Sequence, residues 1–353
     1  MRRGAFVSNT MASVLSGVGL FVVSLAVLLK ASDAFTSSME RIGLGLGVSP
    51  FVVGATVVAA GTSLPELASS VFAVLAGEPG IVAGNVVGSN VANVFLVLGT
   101  VSVVGGGIVV DREVMRVDLP LLSVSAVFLL IAAWDGVVVW YEGVLGLVGL
   151  VTYVEFSVSN PGRLRGPVQS VLGDQLAGLS SGGSDPVDAA APESADLGDA
   201  ADRVEVDGRT VVVAVASLAF VVLGANYLVE AILALAAVTS VGTEFVAITA
   251  VAVGTSLPEI AVSVAAIRQG SVDIAVGNVL GSNVFNAFAV MGVPSLLGPL
   301  SVPPSVREFA LPVMVVATVL YLFIAQDREI TRYDGVALLL LYAIFLVNLF
   351  SFA

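Results

Sequence analysis

Two stretches of the sequence are near copies of each other, separated by a constant offset of 193 residues. Residues 61–99 align with residues 254–292 without a gap, and the two stretches are identical at 23 of 39 positions. The identity is concentrated in two blocks: GTSLPELASSVFA recurs as GTSLPEIAVSVAA, and GNVVGSNVANVF recurs as GNVLGSNVFNAF. A duplicated unit of this kind dictates the architecture, because the copies form related halves of one structure.

The chain as a whole is apolar enough to lie in a lipid bilayer. Hydrophobic residues make up 57% of the 353 positions and charged residues only 12%, with a mean hydropathy of +1.04. A hydrocarbon layer of about 30 Å is crossed by roughly 20 helical residues, and the cost of unpaired backbone groups in lipid favours helices over open strands. The sequence therefore predicts an all-α integral membrane protein. Its ten predicted transmembrane helices are residues 13–30, 47–75, 81–108, 117–134, 138–156, 210–234, 242–267, 273–299, 308–325 and 333–352.

The repeat divides the ten predicted helices into two groups of five. Residues 1–156 form the first repeat and residues 209–353 form the second. Because five is odd, the second copy has to enter the membrane from the opposite side, so the two five-helix repeats are inverted. Inverted repeats relate equivalent residues by an axis in the membrane plane, and substrate sites in such transporters lie near the midplane. We therefore expect Glu66 and Glu259 to meet at mid-depth.

Residues 157–208, between the two repeats, contain nine Asp or Glu against three Arg. This composition predicts a solvated, disordered linker. A regulatory Ca2+ site of the EF-hand type needs regularly spaced ligands around a Gly turn, and the linker lacks that spacing. If successive loops between ten spans lie on alternate sides of the membrane, eleven of the fourteen basic residues lie on one side. The positive-inside rule predicts that this side is cytoplasmic. This orientation puts the linker inside the cell and both termini outside.

The residue types that are missing from the chain exclude several function classes. There is no Cys and no His, so disulfides, thiolate or imidazole metal sites, and Ser-His or Cys-His catalysis are impossible. The sequence has no nucleotide-binding loop, and its net charge of -13 opposes binding to nucleic acid. We expect a transporter in the lipid bilayer and not an enzyme, with no cofactor and no obligatory protein partner.

The block GTSLPE carries the charge of the predicted site. Thr62 stands four residues before Glu66, which puts the hydroxyl and the carboxylate on one helix face. Pro65 lacks an amide hydrogen and clashes with the carbonyl of Gly61, so the helix bends or breaks there and its carbonyl oxygens become candidate cation ligands. The second copy repeats the pattern with Gly254, Thr255, Pro258 and Glu259.

The ligand chemistry of the motif suits a hard cation. Ca2+ takes about six to eight oxygen ligands, and Na+ accepts carbonyl and hydroxyl oxygens similarly. The lack of sulfur and imidazole disfavours zinc, copper and iron. The two carboxylates match the charge of one Ca2+ or two Na+. Because ionisable residues within membrane spans are costly and are functional by default, Glu66 and Glu259 are the strongest candidates for the site.

The block GNVVGSNVANVF adds neutral oxygens to this set. Its candidate ligands, with their second-copy counterparts, are Ser89, Asn90, Asn93, Ser282, Asn283 and Asn286. The alternative role is structural, because serines can bond to their own helix backbone and asparagines can bridge helices. Four further acidic residues near predicted helix ends are interpreted as solvated or snorkelling: Asp33, Asp118, Glu142 and Glu230.

The paired GTSLPE and GSNVxN blocks closely resemble the two repeated motifs of the Na+/Ca2+ exchanger family, prokaryotic type, within the cation/Ca2+ antiporter superfamily. The resemblance implies an antiporter with Na+ and Ca2+ as substrates, in which Glu66 and Glu259 ligate Ca2+ and share it with Na+. It also implies that the carbonyl oxygens of Thr62 and Thr255 join them. The hydroxyls implied at flanking Na+ sites belong to Ser63, Ser256, Ser89 and Ser282. The backbone carbonyls implied there belong to Ala59 and Ala252. Asn93 and Asn286 fall at positions where members of the family carry Asn or Asp.

Both amide positions are Asn, where relatives often carry an acidic residue in this block. This departure disfavours K+ co-transport and leaves the ion stoichiometry open. The family's alternating-access exchange of three Na+ for one Ca2+ would be electrogenic. The nearest alternative is a Ca2+/H+ antiporter, in which the glutamates are protonated instead; such relatives typically place an acidic residue soon after a Gly-Asn pair, and GNVVGSN lacks one. A membrane hydrolase lacks the catalytic residues, and broken helices in an inverted repeat favour a transporter over a channel.

Overall fold

The computed structural model describes residues 2–45, 59–110, 112–159, 207–239, 242–268, 270 and 272–351. Within these ranges the ordered elements are helices, apart from four strands of two residues each. The predicted helical class is therefore confirmed. Residues 46–58, at the start of the second predicted span, and residues 160–206, most of the predicted linker, lie outside the described residues.

The first half of the chain begins with its longest helix, of 44 residues, and ends with two helices of 21 and 20 residues. Its elements are α1 (Arg2–Gly45), α2 (Ala59–Thr62), α3 (Leu64–Leu75), α4 (Gly80–Ala92), a π-helical turn (Asn93–Val97), α5 (Leu98–Gly105), β1 (Ile108–Val109), α6 (Arg112–Ala132), β2 (Val137–Val138) and α7 (Trp140–Ser159).

The second half follows the same plan. Its elements are α8 (Gly208–Thr239), α9 (Thr243–Val246), a π-helical turn (Ala247–Val251), α10 (Ala252–Thr255), α11 (Leu257–Arg268), α12 (Val272–Phe285), a π-helical turn (Asn286–Val290), α13 (Met291–Ser295), β3 (Leu300–Ser301), a π-helical turn (Ser305–Ala310), α14 (Leu311–Ala325), β4 (Glu329–Ile330) and α15 (Arg332–Leu349). Two of the π-helical turns begin at equivalent positions, Asn93 and Asn286. Such turns are frequent at functional sites.

Seven helical stretches among the described residues are long and apolar enough to cross a membrane. They correspond to predicted spans one, three and six to ten, while α3 and α6 supply shorter apolar helices at predicted spans two and four. The chain is therefore a multi-pass membrane protein, and the count of ten spans stays a prediction. The seven stretches are Val14–Gly43, Gly80–Gly105, Gly208–Val238, Ala247–Arg268, Ala275–Ser295, Ser305–Ala325 and Arg332–Leu349.

Helices α1 and α8 are longer than the sequence indicates. The prediction ended the first span at residue 30, whereas α1 continues to Gly45, and α8 continues to Thr239. Asp33 and Glu230 therefore lie well inside helices and not near their ends, while both side chains are exposed, which agrees with their interpretation as solvated or snorkelling. An isolated charge in a hydropathy profile resembles a boundary, which explains the error in their placement.

Two small antiparallel sheets join the halves of the chain. In one, β1 pairs with β4 and Ile108 lies opposite Ile330; in the other, β2 pairs with β3 and Val138 lies opposite Leu300. β1 and β2 flank α6, and β3 and β4 flank α14, so the two sheets lie at opposite ends of these helices. Strands of two residues leave no periodic pattern in the sequence, which is why the prediction did not contain them.

The repeated blocks form the centre of the molecule. In the helical stretch Gly80–Gly105 nearly every residue is buried, whereas fewer than a third of the residues of α15 are. Helices α1 and α8 also bury only about a third of their residues or fewer, and they pack lengthwise against each other. Their backbones come close, because a Cβ on Gly224 would lie 2.9 Å from the backbone nitrogen of Leu28. This long pair therefore crosses outside the central helices.

Candidate functional site

Each copy of GTSLPE interrupts its helix at the serine. Ser63, at φ -93° and ψ 9°, separates α2 from α3, and Ser256, at φ -80° and ψ 1°, separates α10 from α11. The proline of each motif is the second residue of the following helix, where its missing amide hydrogen is tolerated. The predicted break is confirmed. It assigns Thr62 and Glu66 to two consecutive helices, so they do not share the face of one helix.

Glu66 and Glu259 are both buried, each with 1% of its surface exposed. They are close enough for their carboxylates to interact electrostatically. The Thr255 side chain faces the Glu66 carboxylate, and the Ser282 side chain faces that of Glu259. Among the residues that the structure describes, however, Oε2 of Glu66 and both carboxylate oxygens of Glu259 accept no hydrogen bond of ordinary geometry. Because the buried side chains of the described residues include no Lys or Arg, no buried cationic side chain balances this charge.

Six of the other predicted ligands also have buried side-chain oxygens without a hydrogen-bond partner among the described residues. These oxygens belong to Ser63, Ser89, Asn90, Asn93, Ser256 and Asn286. Buried polar groups are normally hydrogen-bonded, and each exception calls for a physical explanation. A bound cation would account for such a set, since an oxygen that ligates a metal ion does not need a hydrogen-bond donor.

Predicted ligands from the two copies contact each other. The hydroxyl of Thr62 lies 3.4 Å from the hydroxyl of Ser282, which joins the first motif of one copy to the second motif of the other. Thr255, the counterpart of Thr62, instead donates a hydrogen bond of 3.0 Å to the carbonyl of Val251. This bond uses the proton and leaves the lone pairs of the hydroxyl available. The two copies are therefore similar here without being equivalent.

The two alanines predicted to supply backbone carbonyls lie in the short helices before each break. Ala59 is in α2, three residues before Thr62, and Ala252 is in α10, three residues before Thr255. The carbonyl of Ala252 accepts a hydrogen bond of 3.2 Å from the amide of Ser256, which leaves one lone pair on that oxygen. The ligand role of these carbonyls stays a prediction.

Asn85 is a residue of the site region that the motif chemistry did not predict. It is fully buried in α4, and its side-chain amide donates to the carbonyl of Glu66 at 3.3 Å and to the hydroxyl of Ser70 at 3.2 Å. These bonds tie α4 to α3. Asn85 therefore positions the helix that carries Glu66.

Asn278 makes the matching contacts in the second copy. Its amide donates to the carbonyl of Glu259 at 3.3 Å and to the hydroxyl of Ser263 at 3.1 Å. The Gly-Asn pair that opens both second blocks is identical in the two copies. That identity marks the asparagine in the sequence, but it does not by itself indicate that the side-chain amide donates to the neighbouring motif.

Asparagines of the second block bridge the two copies. The Asn93 amide donates to Oδ1 of Asn283 at 3.0 Å, and the Asn90 amide donates to the backbone carbonyl of Asn283 at 3.4 Å. The structural alternative considered for the asparagines is therefore observed for Asn90 and Asn93. Asn286, the counterpart of Asn93, has no partner for its amide or its oxygen among the described residues.

The donor set of this site consists of oxygen alone. Within the described ranges no group of three or more His, Cys, Asp or Glu could hold a metal ion, so two carboxylates have to act together with neutral oxygens. When both are ionised, one Ca2+ or two Na+ would balance their charge. The chain has no His or Cys to activate a nucleophile, so the arrangement suits cation binding and not catalysis.

The sequence matches the family model described as sodium/calcium exchanger protein over residues 16–159 and 209–351. Sodium/calcium exchanger MaX1 from Methanosarcina acetivorans is 35% identical, over 94% of this chain and 97% of the relative. Inner membrane protein YrbG from Escherichia coli is 30% identical, over 92% of this chain and 94% of the relative.

A solved structure of the sodium-calcium exchanger NCX_Mj, soaked with Na+ and Sr2+, has a TM-score of 0.60 and 29% identity. The match covers 93% of this chain and 96% of that chain. The family model thus spans both halves, and relatives match the chain over nearly its whole length. The chain belongs to the Na+/Ca2+ exchanger family, whose members are transporters and not enzymes.

Proposed function

We propose that this chain exchanges Na+ for Ca2+ across the membrane by alternating access. The observation that carries the proposal is the pair of buried carboxylates, Glu66 and Glu259, one from each copy of the repeat. They interact with each other and have no buried cationic side chain beside them among the described residues. Sodium and calcium are the ions named for MaX1 and NCX_Mj, which supports the same pair here.

The proposed Ca2+ site consists of the two glutamate carboxylates and the backbone carbonyls of Thr62 and Thr255. Flanking Na+ sites take neutral oxygens from both copies, and the unpartnered buried oxygens described above support this assignment. Their proposed ligands are Ser63, Ser256, Ser89, Ser282, Asn93, Asn286, Ala59 and Ala252. Four carboxylate oxygens in this cluster supply the negative charge, and the other ligands supply coordination without charge.

Exchange follows from competition for the same carboxylates. Ca2+ and the Na+ ions need Glu66 and Glu259, so the two kinds of ion do not occupy the site together. The empty site carries two buried charges without a counter-ion, which is costly inside a membrane. The protein therefore changes its access state only when loaded, and transport of one ion is coupled to countertransport of the other.

The proposed topology is ten helices in two inverted repeats, and the small sheets support it. β1 and β3 follow the same motif in the two copies, yet they belong to different sheets. One sheet lies at the start of α6 and the end of α14, and the other lies at the end of α6 and the start of α14. Counting ten alternating spans puts the loop containing β1 on the same side as its partner β4, and the loop of β2 on the same side as β3. The distribution of basic residues then makes the linker cytoplasmic and both termini external.

Transport of three Na+ for one Ca2+ moves one net positive charge per cycle. The membrane potential would then change the driving force by about 2.3 kcal/mol per 100 mV. The alternative, a Ca2+/H+ antiporter, would use the same glutamates in protonated form and would respond to a pH gradient.

The deciding experiment is Ca2+ uptake into proteoliposomes loaded with Na+. We expect uptake to require an outward Na+ gradient, to increase when the interior is made positive, and to be lost in Glu66→Gln and in Glu259→Gln. Glu155→Gln, a change at an exposed carboxylate of α7, is the matched control. Uptake that follows a pH gradient and ignores Na+ would favour the proton antiporter, and wild-type uptake in both site variants would exclude the proposed site.

A further inference from the structure

Helix α1 lies against the broken helices of both copies. A Cβ added to Gly254 would collide with the side chain of Leu25, and one added to Gly61 would collide with Thr36. The two contacts are eleven residues apart on α1, or about 16 Å at the helical rise of 1.5 Å per residue. The part of α1 between Leu25 and Thr36 therefore runs alongside the helix breaks that precede the two glutamates.

This part of α1 carries a polar group that we name the Asp33 stripe, consisting of Ser32, Asp33 and Thr36. Ser32 is only 2% exposed, and neither its hydroxyl nor that of Thr36 has a hydrogen-bond partner among the described residues. Other serines of α1 behave differently, because Ser24 and Ser38 donate to the carbonyls four residues earlier at 2.6 and 2.7 Å. The two hydroxyls of the stripe are therefore not hydrogen-bonded to the backbone of their own helix.

The helical period places Ser32 and Thr36 on the α1 face that contains Leu25, with Asp33 at its edge. The side chain of Asp33 is exposed, and its carboxylate is near Lys30 and close enough to Glu259 to interact electrostatically. A carboxylate inside a membrane-spanning helix is costly in hydrocarbon and normally faces protein or a water-filled cavity. Because its side chain is exposed and not packed against protein, an ionised Asp33 requires water on this side of α1.

The second copy has no such stripe. At the positions equivalent to Ser32, Asp33 and Thr36, α8 carries Ala225, Asn226 and Val229, of which Ala225 and Val229 are buried. The acidic residue of α8, Glu230, corresponds to Ser37 and accepts a hydrogen bond of 3.2 Å from Asn226. The motifs of the two copies are almost identical, whereas the long helices beside them differ in their polar groups.

We propose that the Asp33 stripe is a loading site for hydrated Ca2+ on one of the two access paths. Asp33 attracts the incoming ion, and the hydroxyls of Ser32 and Thr36 replace part of its water before it reaches the glutamates. This inference rests on the proposed exchange function and extends it. It makes the two sides of the membrane kinetically different, because only one access path has the stripe.

The test compares the Ca2+ KM on the two faces of the membrane for Asp33→Asn, in vesicles of defined orientation. We expect KM to rise about tenfold at low ionic strength on one face, through slower electrostatically steered association, and to stay unchanged on the other. The difference should shrink as salt is added, because salt screens the carboxylate. Equilibrium Ca2+ binding to the solubilised protein should stay close to wild type, and Asp33→Glu should restore the KM.

Two further variants separate loading from a general structural role. The double change Ser32→Ala and Thr36→Val copies the α8 residues into α1 and should raise KM on the same face as Asp33→Asn. Glu230→Gln, which removes the exposed carboxylate of α8, should leave KM on that face unchanged. Equal KM changes on both faces, or no change on either face in the stripe variants, would overturn the loading site.

The measurement also separates this inference from the proposed function. KM is determined under whichever gradient, Na+ or H+, drives Ca2+ uptake by the wild type. Uptake without Na+ dependence overturns the proposed exchange, but the KM values of the two faces can still be compared and still test the loading site. Na+-driven uptake with unchanged KM values in Asp33→Asn overturns the loading site alone, and a wild type without any Ca2+ uptake overturns both.

Discussion

The side-chain amide of Asn93, in the first copy of the repeat, donates a hydrogen bond of 3.0 Å to Oδ1 of Asn283, in the second copy. The equivalent residue Asn286 makes no such bond among the described residues. Two asparagines at matching positions of nearly identical motifs therefore have different roles. The amide nitrogen of Asn93 joins the copies, whereas that of Asn286 has no partner among the described residues, and the side-chain oxygens of both asparagines accept no hydrogen bond there.

The first prediction follows from this difference. Asn93→Ala should lower the free energy of unfolding by about 1 kcal/mol, the net value of a typical hydrogen bond, whereas Asn286→Ala should lower it by less. Thermal unfolding of the purified protein in detergent measures both. In transport, Asn286→Ala should weaken the dependence on Na+ concentration. Equal losses of stability in the two variants would contradict the different roles.

Close packing of the copies makes a second prediction at Gly88. A Cβ there would lie 2.7 Å from the carbonyl oxygen of Ile248 and 2.8 Å from the Cβ of Ala252, whereas at Gly281, the equivalent position, its nearest neighbour is the Tyr153 hydroxyl at 3.7 Å. Gly88→Ala should therefore destabilise the protein by about 1–3 kcal/mol, as overpacking typically does. Gly281→Ala is the matched control and should be tolerated. A similar fall of the melting temperature in both variants would argue against this packing.

A third prediction concerns the amides behind the glutamates. Asn85→Ala removes donors to the Glu66 carbonyl and to Ser70, and should cost about 1–2 kcal/mol in unfolding free energy. Asn85→Asp should cost more, because a carboxylate cannot donate to a carbonyl and adds a buried charge. The exposed Asn348, whose amide donates to the carbonyl of Ile344, is the control position. If Asn348→Ala destabilised the protein as much as Asn85→Ala, the positioning role would be wrong.

Ion binding supplies a fourth prediction. Ca2+ at about 100 times its Kd should stabilise the folded protein by about 2.7 kcal/mol, because it binds the native state and not the unfolded chain. Melting curves recorded with and without Ca2+ measure this shift. Glu259→Gln should lose it, since one of the two charges that hold the ion is gone. Glu155→Gln should keep the full shift, and a shift of wild-type size in Glu259→Gln would show that Ca2+ binds elsewhere.

The sequence identifies the two glutamates of the site directly, but it does not identify the residues that surround them. The 193-residue repeat identifies Glu66 and Glu259 as a pair, and the prolines of the motif predict the breaks that occur at Ser63 and Ser256. The position of Asp33 was misjudged, because a charge at the edge of an apolar stretch resembles the end of a span. Asn85 was overlooked, because its donors act on a helix 19 residues earlier in the chain.

The sequence by itself determined the membrane-protein class, the duplicated motif and the oxygen-only chemistry of the candidate site, because each follows from residue types and their spacing along the chain. Only the tertiary structure decided which polar groups of the site region are hydrogen-bonded to other residues of the protein. It pairs Asn93 with Asn283 and leaves Asn286 without a partner. The physical reason is that hydrogen bonds between distant residues depend on how the helices pack, and identical motifs meet different neighbours in the two halves.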